Sequence, residues 1–216
     1  MKHTVAALVL VFAACKGGQA PPALPSSATA APPPANSAAL LDDVQKRTFL
    51  FFWETTNPEN GLVPDRWPTP SFSSIAAVGF GLTAYGIGVE HGWVTREQAA
   101  QRVLTTLRFF QNSKQGDAST GVTGYPGFYY HFVDMKRGER FKEVELSTID
   151  TTLLLAGALF CQSYFDRDHA DERAIRDIAE QLYRRAEWTF FFERPPLVSM
   201  GWTPEHGLHD YDYMGY

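Results

Sequence analysis

Residues 147–165 read STIDTTLLLAGALFCQSYF, and residues 74–91 read SIAAVGFGLTAYGIGVEH. After Asp150 the first stretch has no charge until Asp166, and the second has none before Glu90. Each opens on a serine suited to cap a helix N-terminus. A helix without a polar face must be surrounded by protein. Neither uncharged run reaches the roughly 18–20 residues of a membrane span, so both are expected inside a globular core. Outward from them, apolar spacing predicts three amphipathic helices. The first covers 39–54, with Leu40, Leu41, Val44, Phe49, Phe51, Phe52 and Trp53 against Asp42, Asp43, Lys46 and Arg47. The next covers 95–112 and opens with Thr95-Arg96-Glu97-Gln98, a capping box. The last covers 171–192, where Ile175, Ile178, Leu182, Tyr183 and Trp188 alternate with charges.

Buried and half-buried helices therefore alternate, as when one helical layer wraps another. The connections alternate too: 91–95 and 166–171 are short, whereas 55–73, 113–146 and 193–216 are long. In antiparallel helices every second loop lies at the same end, so the long loops are expected to share one face. The fold class expected is all-α: an incomplete (α/α) toroid of helical hairpins. The last long loop reaches Tyr216 without a sixth helix. Residues 39–216 are thus expected to be the N-terminal part of a larger barrel, with the flanks of the two apolar helices exposed.

The 216 residues carry 24 acidic and 19 basic side chains, a net charge of −5. The basic residues are scattered among acids, which excludes the concentrated cationic surface that nucleic acid requires. Sixteen Phe, nine Tyr and five Trp exclude a disordered chain. At the N-terminus, Lys2 and His3 precede a small and apolar run over 5–14, which reads as a signal peptide over 1–14. Phe12-Ala13-Ala14-Cys15 resembles a bacterial lipobox, so Cys15 is expected to carry a lipid that anchors an exported protein to a membrane, facing periplasm or cell exterior. The alternative is an ordinary signal peptide with an incidental cysteine. Residues 15–38, rich in Pro, Ala and Ser, form the expected tether. Cys161, in an apolar helix, is expected to be a small core residue.

Each long loop places carboxylates beside rings. The first contains Gly61-Leu-Val-Pro-Asp65-Arg66-Trp67, the second Gly127-Phe-Tyr129-Tyr130-His131-Phe-Val-Asp134 followed by Glu145 and Asp150, and the third Gly201-Trp202-Thr-Pro-Glu205-His206-Gly207. Sugars present apolar faces to aromatic rings and hydroxyl rims to Asp, Glu, Arg and His, so this pattern suits a carbohydrate site. Glycoside hydrolysis needs one carboxylic acid to protonate the leaving oxygen and one carboxylate to activate water or attack. Motifs for metalloproteases, redox CxxC pairs, serine hydrolases and phosphate-binding loops are missing from the sequence. His206 and His209 flank Gly207 and need not share a helical face, and an Asp210-Tyr-Asp212 calcium loop would need ligands beyond Tyr216. No metal or cofactor is expected.

GLVPDRWP, FYYHFVDM followed by VELSTIDTTLLLAGAL, and GWTPEHG followed by YMGY resemble, in the same order, motifs of the bacterial glucoamylase-like glycoside hydrolases that include endo-β-1,2-glucanases. The resemblance covers roughly residues 40–216. It implies an (α/α)6 toroid and an exported enzyme that hydrolyses β-1,2-glucan with inversion; the partner expected is thus a glucan, with no nucleic acid, and the complete protein is expected to be a monomer. It further implies that Glu205 is the acid, that Asp134, Glu145 and Asp150 line the cleft, and that Asp65 and Arg66 are the pair of the first loop. The site expected is therefore Glu205, Asp150 and Glu145 for catalysis. Asp65, Arg66, Trp67, Tyr129, Tyr130, His131, Asp134, Trp202 and His206 are expected to bind substrate. Structural alternatives stand beside these roles: a surface or capping Glu205, a helix-dipole role for Asp150, Asp134 pairing with Lys136 or Arg137, an Asp65–Arg66 brace, and core packing for Trp202 and Tyr129–Tyr130. A catalytic Glu205 requires a pKa raised toward neutrality. A noncatalytic glycan-binding lipoprotein, or an inactive fragment, is the functional alternative.

Overall fold

The structure, a computed structural model, describes residues 35–213. The expected signal peptide, Cys15 and residues 214–216 lie outside the described residues. Five α-helices follow in order: α1 (Ala35–Thr55), α2 (Ile75–Glu90), α3 (Arg96–Asn112), α4 (Thr148–Tyr164) and α5 (Ala170–Arg185). Among the described residues no helix is long and apolar enough to cross a membrane. The caps are those the sequence marks. Ser74 Oγ accepts from Ala77 N at 3.3 Å, Ser147 Oγ from Asp150 N at 3.2 Å, and Thr95 and Gln98 complete a reciprocal capping box. α1 begins at Ala35, inside the stretch expected as tether.

α2 and α4 form the inner layer, and glycine sets how closely they approach. A Cβ on Gly79 would lie 2.2 Å from Leu153 O, and one on Gly157 would lie 2.3 Å from Gly79 O. On another side of α2, a Cβ on Gly88 would fall 2.2 Å from the Phe49 ring of α1. Glycine is a poor helix former, but here its missing side chain is the space that neighbouring backbone and rings occupy. Gly157→Ala is expected to lower stability by about 1–3 kcal/mol through overpacking. Urea unfolding followed by far-UV circular dichroism checks this; an unchanged midpoint would mean that α2 and α4 part without penalty.

α3 and α5 pack against each other outside this layer, and α5 also covers α4. At the end with the short turns, Arg96 joins three elements. Its guanidinium donates to both Glu172 oxygens at 2.8 and 2.9 Å and to Tyr164 O at 2.7 Å.

At the other end the long connections are stitched together by short strands of two or three residues: β1 (Ser73–Ser74), β2 (Phe132–Val133), β3 (Leu146–Ser147), β4 (Val198–Ser199), β5 (Gly201–Thr203), β6 (Gly207–Leu208) and β7 (Asp212–Tyr213). Antiparallel β1–β2 joins the first connection to the second, and antiparallel β3–β5 joins the second to the third. The molecule is helix-rich, but these pairings qualify the all-α expectation.

Three further expectations are corrected. α2 is not enclosed all round: Phe80 is 57% and Ile87 37% exposed, as is Ile149 of α4 at 44%, in keeping with the exposed flanks expected of the two apolar helices. These side chains are left uncovered by the described elements. In α1, Leu40, Leu41 and Val44 are exposed while Phe49 is buried, because only the C-terminal half of that helix meets α2. Finally, α5 stops at Arg185, and a 3-10 turn covers Trp188–Phe191. Glu187 N–H leaves the helix to donate to Pro126 O at 3.1 Å. The swerve sets Trp188 and Phe191 on the Phe128 ring, with centroids 5.1 and 4.5 Å away. A continuing helix would forfeit those contacts.

Candidate active site

The second long connection places His131 beside the start of α4. His131 Nδ1 lies 2.9 Å from Glu145 Oε1 and Nε2 lies 3.5 Å from Asp150 Oδ1. Backbone pairing creates this arrangement: His131 N–H donates to Glu145 O at 3.0 Å, and its carbonyl accepts from Ile75 N–H. Asp150 is buried in the first turn of α4, where the helix dipole favours its charge, and Ser147 Oγ donates to its Oδ2 at 2.5 Å. The imidazole thus bridges two carboxylates, with its ring stacked 3.9 Å from that of Phe132.

Charge explains the titration of this cluster. Burial acts to lower the His131 pKa, but the Glu145 hydrogen bond and the charges of Asp150, Glu145 and Asp65 outweigh it and raise the value. Burial acts to raise Glu145, and the His131 hydrogen bond, its own backbone N–H and the His131 and His209 charges bring it down instead. Tyr213 is raised by burial first and then by Asp150 and Glu145. A raised His contributes stability that is complete below its unfolded pKa and is lost as pH climbs through the folded one. A lowered Glu contributes stability that is complete above its unfolded pKa and is lost as pH falls through the folded one. The pair is therefore fully stabilising between about pH 4.3 and 6.5. The urea midpoint is expected to decline on the alkaline side of that window, and His131→Ala to flatten the decline. An alkaline slope identical in both proteins would show that His131 does not carry it.

The third loop has a different arrangement. Glu205 accepts both arms of Arg140, at 2.8 and 3.0 Å. The Arg140 side chain is 1% exposed, lies 4.8 Å from the Tyr130 ring centroid, and also donates to Val144 O at 2.7 Å and Ser119 O at 3.2 Å. The Arg140 hydrogen bonds hold the Glu205 pKa below the usual carboxylate value. This is opposite in sign to the shift that proton donation needs, so an acid role for Glu205 would require its pair with Arg140 to open. In that pair Glu205 anchors β5–β6 to the second loop.

The remaining expected residues divide. Tyr129 and Tyr130 are fully buried and present no face to a sugar, which corrects the substrate role expected of them. Tyr129 OH donates to Phe110 O and receives Arg185 Nη2, tying α3 to α5. Asp134 is a turn residue: its Oδ1 accepts from Lys136 and Arg137 N–H at 3.0 and 2.9 Å, bonds that lower its pKa. The backbone bonds act first, and the charges of Arg137 and Lys136 add to them. Asp65 lies 3.8 Å from Arg66 and adds its field to His131. Trp67 is 66% exposed. Trp202 is half-buried against Tyr125 and Phe190, while His206 is exposed. Cys161 is fully buried and its thiol is pushed upward by burial alone. Among the described residues no cluster of three or more His, Cys, Asp or Glu is placed to hold a metal. Sequence reasoning missed Arg140, an arginine in a polar loop with no local signal, and the contribution of Ser147 to the cluster beyond capping.

No family model matches the chain. It is 27% identical over 172 residues to the exo β-1,2-glucooligosaccharide sophorohydrolase (non-reducing end) of Parabacteroides distasonis, an alignment covering 76% of this chain and 23% of that protein. Among solved structures it is similar to a glucoamylase-like protein from Bacteroides uniformis, with 32% identity, a TM-score of 0.68, and coverage of 78% of this chain and 40% of that one. It is also similar to a β-1,2-glucanase from Parabacteroides distasonis, with 28% identity, a TM-score of 0.68, and coverage of 81% and 25%. The chain therefore spans about a quarter of the curated relative and two-fifths of the Bacteroides uniformis protein. The resemblance to glucoamylase-like proteins and β-1,2-glucanases extends over most of its length.

Proposed function

We propose that the protein acts in hydrolysis of a β-linked glucan, most specifically β-1,2-glucan, as an exported glycoside hydrolase that inverts the anomeric centre. The observation that carries this reading is the meeting of Glu145, His131 and Asp150 where the long loops join, in a chain whose relatives are β-1,2-glucan-acting enzymes. Glu145, ionised against His131, is the proposed general base. It takes a proton from water as the water oxygen bonds to the anomeric carbon and the glycosidic C–O bond breaks. Asp150 positions His131. The leaving oxygen takes its proton from a carboxylic acid, the part proposed for Glu205 once its pair with Arg140 opens. Asp65, Arg66, Trp67, Trp202 and His206 are proposed sugar contacts around this centre. Export and a lipid anchor at Cys15 belong to the same proposal.

The test is incubation with linear β-1,2-glucan, with β-1,3-glucan and starch as controls, reading reducing ends and the first-formed anomer by NMR. Release of α-anomeric ends from β-1,2-glucan alone is expected. Glucan binding without new reducing ends would favour a glycan-binding protein, the reading that the Arg140 hold on Glu205 supports.

A further inference from the structure

A groove of about 440 Å³ opens between the first long loop and the turn after β2, lined by Arg66, Ser71, Phe72, Asp134, Lys136 and Phe141. That volume lies within the range of small-molecule sites. Its aromatic wall is continuous with the His131 cluster. Phe72 lies 4.7 Å from Phe141 and 4.3 Å from Phe132, whose ring stacks on His131. The Arg66 guanidinium stands 5.6 Å from the Phe72 centroid. Two polar features of the groove are unused. Ser71 Oγ is buried without a hydrogen-bond partner, and Asp134 accepts its two backbone N–H groups on Oδ1, leaving Oδ2 without a bond among the described residues.

We infer that this groove is a distal glucosyl subsite, which gives the His131 centre a preference for longer chains; the inference rests on the glucan reading proposed above. The charge pattern selects the ligand class. Asp134 opposes an anion, Arg66 and Lys136 oppose a cation, and a neutral polyhydroxylated ring satisfies donors and acceptor alike. Its apolar face stacks on phenylalanine. On this reading a disaccharide seated at the His131 centre leaves the Phe72–Phe141 wall uncovered, whereas a longer β-1,2-linked chain covers it.

The test is calorimetric titration of the full chain with the β-1,2-linked disaccharide and with longer linear oligosaccharides. The longer ligands are expected to bind more tightly, and Phe141→Ala to weaken them by about tenfold while leaving the disaccharide unchanged. Lys136→Glu, at an exposed side chain of the groove, is expected to weaken the same longer ligands and leave the disaccharide unchanged. Met135 also lines the groove, and in protein labelled at the methionine methyls its signal is expected to shift with the longer ligands only. Equal weakening of both ligand lengths, or a Met135 signal indifferent to length, would overturn the subsite and leave the glucan reading intact. Failure of the unsubstituted protein to bind either ligand would overturn the glucan reading and the subsite together.

Discussion

Glu145→Gln is expected to reduce β-1,2-glucan turnover by about 10²–10⁴-fold while changing glucan affinity little. The amide keeps the size of the side chain and an oxygen that can face His131 Nδ1, now at 2.9 Å. It removes the basic lone pair that takes a proton from water. It also removes the largest of the influences raising His131, so the imidazole should titrate lower in the variant. Steady-state rates, oligosaccharide titration and the His131 ring shifts against pH together test the assignment. Hydrolysis surviving in the variant with an unchanged His131 titration would remove Glu145 from the base role and leave the cluster structural.

Arg140→Met is expected to destabilise the protein by about 2–3 kcal/mol. The guanidinium is buried and serves Val144 O and Ser119 O as well as Glu205. Methionine preserves much of the packing on Tyr130 but leaves those carbonyls without their donor, and an unpaired buried acceptor is the costly part. Glu205, near the surface, stays solvated, so its loss of partner appears in titration. Its pKa is expected to rise toward the ordinary value of about 4.3. Urea unfolding and carboxyl-carbon NMR measure the two effects. Arg140→Lys is expected to rescue neither fully, because an ammonium lacks the planar fork that reaches both Glu205 oxygens. A variant as stable as the parent, with Glu205 unmoved, would show that the pair does not hold the third loop.

Much of the scaffold was legible in the residues. Ser74, Thr95 and Ser147 mark helix starts because each can satisfy free N–H groups of its own first turn, a matter of a few residues. Two uncharged helices had to be inner elements because no charge offered a solvent face. That their flanks would be exposed was also legible, but which side chains are uncovered, Phe80 and Ile87 among them, depends on which neighbours exist. The end of α5 was hidden for a similar reason. Residues 186–192 keep the apolar content of a helix, and only the Pro126 carbonyl and the Phe128 ring, distant in sequence, draw the chain away.

The candidate site divides along the same line. By itself the sequence determined that carboxylates and rings would crowd the long loops, that Asp150 would sit at a helix N-terminus, and that the chain would resemble β-1,2-glucan hydrolases. Only the tertiary structure decided which charges meet. His131 reaches Glu145 across 14 residues, and Arg140 reaches Glu205 across 65. The second pairing sets Glu205 against a buried guanidinium, while core packing, the alternative read for Tyr129 and Tyr130, leaves those rings fully buried. The physical reason is that a cap is set by local backbone geometry, whereas the pKa of a carboxylate is set by whatever charge stands within a few ångströms. In this protein that neighbour is brought there by strand pairing between loops.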